Sequence, residues 1–243
     1  MTEKSIYRKR IYERYTTDRY PQFVTFNEET YNKTLKPILT RLKKWLPTNK
    51  SIKYLDVACG AGQLLYGFKS MGFNNIYGID VSPQQVLVAK NISTNVFEGD
   101  ALEFLQKNKN SFDLITAIDI LEHLDKNEMF DFLDAIYLSL REGGRLILQM
   151  PNAESPFGHK IRYCDLTHEN SFDPSNLNSI LNIVGFKNFE IQECGPIVHG
   201  PISFLRFLIW RIISFKLKIW NLAETGNIGS GVYTRVFLSK VDK

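Results

Sequence analysis

The stretch KYLDVACGAGQLL, residues 53–65, decides how the rest of the chain is read. It runs through apolar and aromatic positions around one aspartate, Asp56, into the small-residue loop ACGAG, then into a helical pattern from Gln63. A short apolar run closed by small residues and followed by helical periodicity reads as strand, loop, helix. Outward from it the alternation repeats. NIYGID (75–80) reads as a second strand, and SPQQVLVAKN (82–91) as a helix with Ser82 at the N-cap and Pro83 in its first turn. NVFEGD (95–100), FDLITAID (112–119) and GGRLILQM (143–150) read as further strands, with helices near 101–108 and 126–140 between them. Buried strands alternating with helices predict an α/β fold, a doubly wound Rossmann-like parallel sheet covered on both faces.

The later half keeps the pattern less regularly. DPSNLNSILNIVGF (173–186) predicts a helix capped by Asp173, with Pro174 at its first position and Gly185 at its end; KNFEIQEC (187–194) follows as a strand. GVYTRVFLSK (231–240) reads as the last strand, bringing the sheet to about seven. Residues 151–173 form a long connection, and connections of that length in a compact domain are usually functional. The expected organisation is an N-terminal helical cover over residues 1–50 and a single catalytic domain over 51–243, with 151–173 as its acceptor loop and a hydrophobic helix over 201–224 before the last strand.

Composition narrows the class. A chain of 243 residues, 44% hydrophobic, buries one sizeable core. Cys59, Cys164 and Cys194 are odd in number and far apart, and the first residues lack the apolar run of a secretory signal. Reduced thiols in a cytoplasmic protein are expected. The net charge of +4 hides an asymmetry: residues 51–150 hold eight Lys/Arg against thirteen Asp/Glu, whereas residues 199–243 hold seven against two. An acidic centre argues against nucleic acid as a partner, while the basic tail could meet phosphates or an anionic membrane surface.

Acidic and small residues fall at successive predicted strand ends, where a doubly wound sheet holds its ligand. Asp56, Gly60 and Gly62 follow the first strand, Asp80 closes the second and Asp100 the third. A pyrophosphate-binding loop would present G-x-G-x-x-G; here the third glycine is missing, and Asp56 at the loop entrance would repel a pyrophosphate. The ligand predicted is a nucleoside that carries positive charge and a ribose.

At this point the sequence resembles the class I S-adenosylmethionine-dependent methyltransferases over roughly residues 50–150. LDVACGAG is similar to their first motif, D-x-G-x-G-x-G, with Ala58 in place of the first glycine; YGIDVS, EGDALEF, FDLITAIDILEHL and LREGGRLILQMPN are similar to the next four. The resemblance implies a sheet whose last strand is antiparallel, and S-adenosylmethionine as cofactor, with Asp80 on the ribose hydroxyls and Asp100 at the adenine amino group. The cofactor-binding set it implies is Asp56, Ala58, Gly60, Gly62, Gln63, Asp80, Val81, Gly99, Asp100, Ala101, Asp119 and Ile120.

Methyl transfer from a sulfonium is an in-line displacement, so the protein aligns the acceptor and removes its proton. His168 is the preferred general base because imidazole titrates near neutral pH, with Asp165 three residues earlier to orient it and His123 close to the methyl. The D-x-T-H run resembles a subgroup of bacterial methyltransferases encoded with glycan-assembly enzymes, which implies O-methylation of a small polar acceptor, a sugar or a sugar- or phosphate-containing intermediate. Asp119, Glu122, His123 and His168 also resemble the divalent-metal set of small-RNA 2′-O-methyltransferases and quinone-biosynthesis O-methyltransferases, although Asp119 replaces a glutamate. A metal-free enzyme is preferred over that metal-dependent RNA or quinone-type alternative, and over a non-catalytic S-adenosylmethionine-binding protein.

Between residues 202 and 222 fourteen of twenty-one residues are apolar, but Arg206, Arg211, Lys216 and Lys218 interrupt them. Four charges make a membrane span costly. Two readings stand: a lid or homodimer helix whose apolar face is covered by protein, which is preferred, or peripheral contact with an anionic membrane through 201–222. The Tyr- and Arg-rich run YRKRIYERYTTDRYPQF (7–23) is expected to cover cofactor and acceptor.

Overall fold

The computed structural model describes residues 21–243 and, ahead of them, Ile11. The Tyr- and Arg-rich run expected to cover the cofactor lies, up to residue 20, outside the described residues.

In the remainder of the N-terminal fifty residues, α1 spans Glu28–Leu42, and the Asn27 side chain accepts from the Thr30 N–H to cap it. The quoted stretch becomes β1 (Tyr54–Val57) and α2 (Gln63–Ser70). Then follow β2 (Ile76–Asp80), α3 (Pro83–Ala89), β3 (Val96–Glu98), α4 (Ala101–Lys107) and β4 (Phe112–Ile118). A short 3-10 turn, Leu121–His123, leads to α5 (Lys126–Ser139), which starts in a capping box between Asp125 and Glu128. The chain ends β5 (Leu140–Pro151), α6 (Gly158–Tyr163), α7 (Pro174–Val184), β6 (Lys187–Glu193), α8 (Pro201–Thr225) and β7 (Val236–Asp242).

The seven strands run in the order β3-β2-β1-β4-β5-β7-β6. The first five are parallel, and β7 is antiparallel to both of its neighbours. Because β1 is central and covered on both faces, all four of its residues are buried. Its side chains alternate between two cores, as the period of two requires. Leu55 and Val57 join the cluster under α4, α5 and α7, whereas Tyr54 stacks at 3.8 Å on Phe68 of α2 in the cluster formed with α1 and α3.

Ser82 with Pro83 and Asp173 with Pro174 open their helices as the sequence predicts, and Gly185 closes α7 in the left-handed region. Two expectations need correction. The 151–173 connection is not wholly irregular, since α6 forms within it. The last strand starts at Val236 rather than residue 231, because Gly229 and Gly231 both have φ of +69° and carry the chain in a loop before it pairs.

Strand order reverses between β1 and β4, and that is where a doubly wound sheet opens a crevice at the carboxyl ends of its strands.

Candidate functional site

The loop after β1 is shaped by backbone rather than by side chains. Ala58, Gly60 and Gly62 all adopt positive φ, at 56°, 54° and 82°. At Ala58 the Cβ costs about 1 kcal/mol in that region, which is the physical reason a glycine suits this position. Gly60 donates its N–H to Asp80 Oδ2 at 2.8 Å, and the Ser82 N–H reaches Oδ1 at 2.8 Å. Two fixed donors therefore aim the Asp80 carboxylate while leaving it lone pairs for a ligand. From the other side Tyr31 of α1, fully buried, donates to the Ala61 carbonyl at 2.7 Å. The Tyr31→Phe variant is expected to lose about 1 kcal/mol, read as a lowered melting temperature of the cofactor-free protein.

Asp56 lies beneath this loop. Thr116 of β4, its register partner, donates to Oδ1 at 2.5 Å and is itself bonded to the Tyr54 hydroxyl at 2.7 Å. Burial pushes the Asp56 carboxyl up to about 7, against the lowering effect of the Thr116 bond. Asp80 is also raised by burial, and its backbone donors oppose the rise.

These residues open on a cavity of about 710 Å³, within the range of nucleoside-sized sites. Of the set predicted from sequence, Asp56, Ala58, Gly60, Gln63, Asp80, Val81, Gly99, Asp100, Ala101, Asp119, Ile120, His123, Asp165 and His168 line it. Gly62 does not. A Cβ there would meet Ile92 at 2.9 Å and Ala89 at 3.0 Å, so this glycine lets α2 pack against the segment behind it. Asp100 doubles as the N-cap of α4, accepting from the Glu103 N–H.

The residues expected on the acceptor side line the same cavity. Asp119, at φ 51°, takes a 3.0 Å bond from the Gln149 amide, and burial pushes its carboxyl up to about 6. Glu122 is buried, and its Oε2 has no hydrogen-bond partner among the described residues. Burial and then the charge of Asp119 hold it well above the usual carboxylate range.

The Asp165 carboxylate accepts both the backbone N–H and the hydroxyl of Thr167, at 2.9 and 2.6 Å, and the Thr167 oxygen meets His123 Nδ1 at 2.8 Å. The Thr167 proton goes to Asp165, so Thr167 accepts from His123 Nδ1–H. His168 Nδ1 faces the Ile161 carbonyl at 3.1 Å, an acceptor only, so His168 also donates from Nδ1. Arg162 clamps this segment by donating to the carbonyls of His168 and Glu169. The two rings meet edge to face at 4.8 Å between centroids.

Ligand atoms of Glu122, His123 and His168 all lie within 4.8 Å of one another. Two imidazoles beside a buried carboxyl whose Oε2 has no hydrogen-bond partner make a donor set of the kind a divalent metal takes. Asp119, the fourth residue of the predicted set, falls outside this group. Four polar partners, Tyr31, Thr116, Gln149 and Thr167, have no place in the sequence-based expectation. Of these only Thr116 leaves a sign there, a polar residue inside an otherwise apolar strand.

Six carboxyl residues line the cavity among the described residues (Asp56, Asp80, Asp100, Asp119, Glu122 and Asp165), and no Lys or Arg does. That donor set fits a cationic nucleoside such as S-adenosylmethionine and opposes a pyrophosphate.

Comparison with known proteins agrees. A family model described as "Methyltransferase domain" matches residues 26–191, a span that includes α1. The mitochondrial ubiquinone biosynthesis O-methyltransferase of Schizosaccharomyces pombe is 29% identical over 202 residues, covering 77% of this chain and 68% of that protein. The Rattus norvegicus protein of the same name is 30% identical over 174 residues, 63% of this chain and 48% of its own length. A solved SAM-dependent methyltransferase from Archaeoglobus fulgidus shares the fold with a TM-score of 0.66 at 22% identity, over 93% of this chain and all of that one. The chain therefore belongs to the methyltransferase-domain family, as a class I enzyme whose cofactor is S-adenosylmethionine.

Proposed function

We propose that the enzyme methylates a hydroxyl of a small aromatic acceptor of the quinone-precursor type, with His168 as the general base. The observation that supports this reading is that His168 lines the same cavity as Asp56, Asp80 and Asp100, its ring held with Nδ1 at 3.1 Å from the Ile161 carbonyl. The cofactor supplies an electrophilic methyl group. In the transfer an O–CH₃ bond forms as the S–CH₃ bond breaks, the electron pair stays on sulfur, and the hydroxyl proton passes to His168 Nε2. Asp80 takes the ribose hydroxyls, Asp100 the adenine amino group, and Asp56 supplies negative charge beneath the cationic tail.

Two observations favour an aromatic acceptor over the sugar expected from sequence. Leu35, Ile38, Leu124, Phe132 and Ile161 give the cavity apolar walls, which suit a ring better than a polyol. The relatives named above are ubiquinone biosynthesis O-methyltransferases. Incubation with methyl-labelled cofactor should label a simple catechol and leave a free hexose unlabelled; the opposite result removes this acceptor class.

The grouping of Glu122, His123 and His168 supports a second reading, in which these three hold a divalent metal that acidifies the acceptor hydroxyl. Chelator decides between them. With His168 acting as the base on its own, activity survives chelation and Glu122→Gln stays within about threefold of the parent, because the amide is isosteric with the carboxyl and Glu122 takes no part in that proton transfer. With a metal, chelator abolishes activity, Mg or Mn restores it, and Glu122→Gln falls by about 10²-fold or more.

A further inference from the structure

Helix α8 is built inside out. Its body-facing stripe, residues 203, 207, 210, 214, 217 and 221, recurs at heptad spacing and includes its two buried residues, both serines: Ser203 and Ser214. Trp210 and Asn221 in this stripe anchor it by donating to Glu193 and to the Asn227 carbonyl. The apolar side faces away from the protein. Leu208, Ile212, Phe215, Ile219 and Trp220 are all exposed, Ile212 at 58%, Phe215 at 63% and Trp220 at 70%. At 3.6 residues per turn the outward apolar residues fill an arc of about 180°. Arg206, Arg211 and Lys218 stand along the two margins of that arc, with Lys216 within it. Within the one chain the apolar face is not covered, and no residue of α8 lines the cavity, so α8 is not a lid over it.

We propose that α8 lies flat in the interface of an anionic bilayer, its apolar arc among the acyl chains and its basic margins at the headgroups. No described helix is long and apolar enough to cross a membrane, while an apolar arc edged by Lys and Arg is the form of an in-plane helix. Charge decides against a second copy of the chain as the occupant. Helix α8 carries four basic residues against one acidic, Glu224 in its last turn, so two such faces would oppose mainly like charges, whereas anionic lipid neutralises them. The placement is also suited to a membrane-borne acceptor. The segment carrying α8 returns to the sheet at Val236, the register partner of Pro151, and both residues line the cavity. The bilayer contact thus sits at the cavity's end of the sheet.

The test is sedimentation of the full chain with vesicles of phosphatidylcholine alone or containing about one-third phosphatidylglycerol. Affinity for the anionic vesicles should be at least about tenfold tighter and should weaken with salt. Trp220 emission should shift to the blue. Ile212→Asp combined with Phe215→Asp should lose vesicle binding by about tenfold or more while melting temperature and cofactor affinity stay at parental values, since both side chains are exposed. No binding to either vesicle, undiminished binding by that double variant, or a stable solution dimer that ignores vesicles would each overturn the proposal, the last by assigning the face to a second copy.

Discussion

His168→Ala is expected to lower kcat by about 10²–10⁴-fold and to leave the dissociation constant of S-adenosylmethionine within about twofold of the parent. The split follows from position. The groups proposed to bind the cofactor come from the ends of β1, β2 and β3, whereas His168 arrives from the loop after α6. A merely structural role would predict something else: lost stability and weaker cofactor binding together. The pH profile adds a second readout. A limb of the parent pH–rate profile that is missing from the residual rate of the variant assigns that limb to the His168 side chain. Full activity in His168→Ala would remove it as the base. Thr167→Val provides a graded control, since it breaks the Asp165–Thr167–His123 chain while leaving the His168–Ile161 contact in place.

Cofactor affinity is expected to rise about thirtyfold between pH 5.5 and pH 8, with about half a proton released on binding at pH 7 and about one below pH 6. Burial holds the Asp56 carboxyl at about 7 in the cofactor-free protein, so below that pH it is neutral and offers a cation little. A bound cation favours the ionised form and drives the proton off. The same group sets a stability trend of opposite sense in the cofactor-free enzyme. Its folded value lies above its ordinary one of 3.8, so the folded state holds the extra proton between them and stability falls as pH rises from about 4 to about 7. The melting shift produced by cofactor should therefore grow across that window. Titration calorimetry at several pH values measures the first effect. Asp56→Asn should flatten the dependence and weaken binding at pH 8 by about tenfold or more; an unchanged pH dependence in that variant would assign the linkage to another acid, with Asp80 the next raised group in the loop.

The nucleotide-facing half of the site was legible in the sequence because it is local. Asp56, Asp80 and Asp100 each sit at or just past the end of a strand, and parallel pairing of neighbouring strands brings those ends together without further information. Caps were legible for the same reason: Ser82 and Asp173 bond donors two or three residues away. The acceptor half was not, because its contacts join distant segments. The hydroxyl that orients His123 belongs to Thr167, 44 residues later, and the one that pins the glycine loop belongs to Tyr31, 30 residues before its partner. Gly62 shows a residue matched to the right motif for a different physical reason, packing rather than ligand approach.

Periodicity and turn chemistry by themselves determined the doubly wound sheet and the charge of its ligand, since each depends on neighbours in the chain. Which face of α8 is turned outward was decided only by tertiary structure. Its sequence contains both an apolar arc and a stripe with two serines, and either could have packed inward as far as helical spacing is concerned. The end of β6 offers Glu193 to the Trp210 indole, and Ser203 and Ser214 are buried on the same side, so the stripe carrying them turned inward and the apolar arc was left outside.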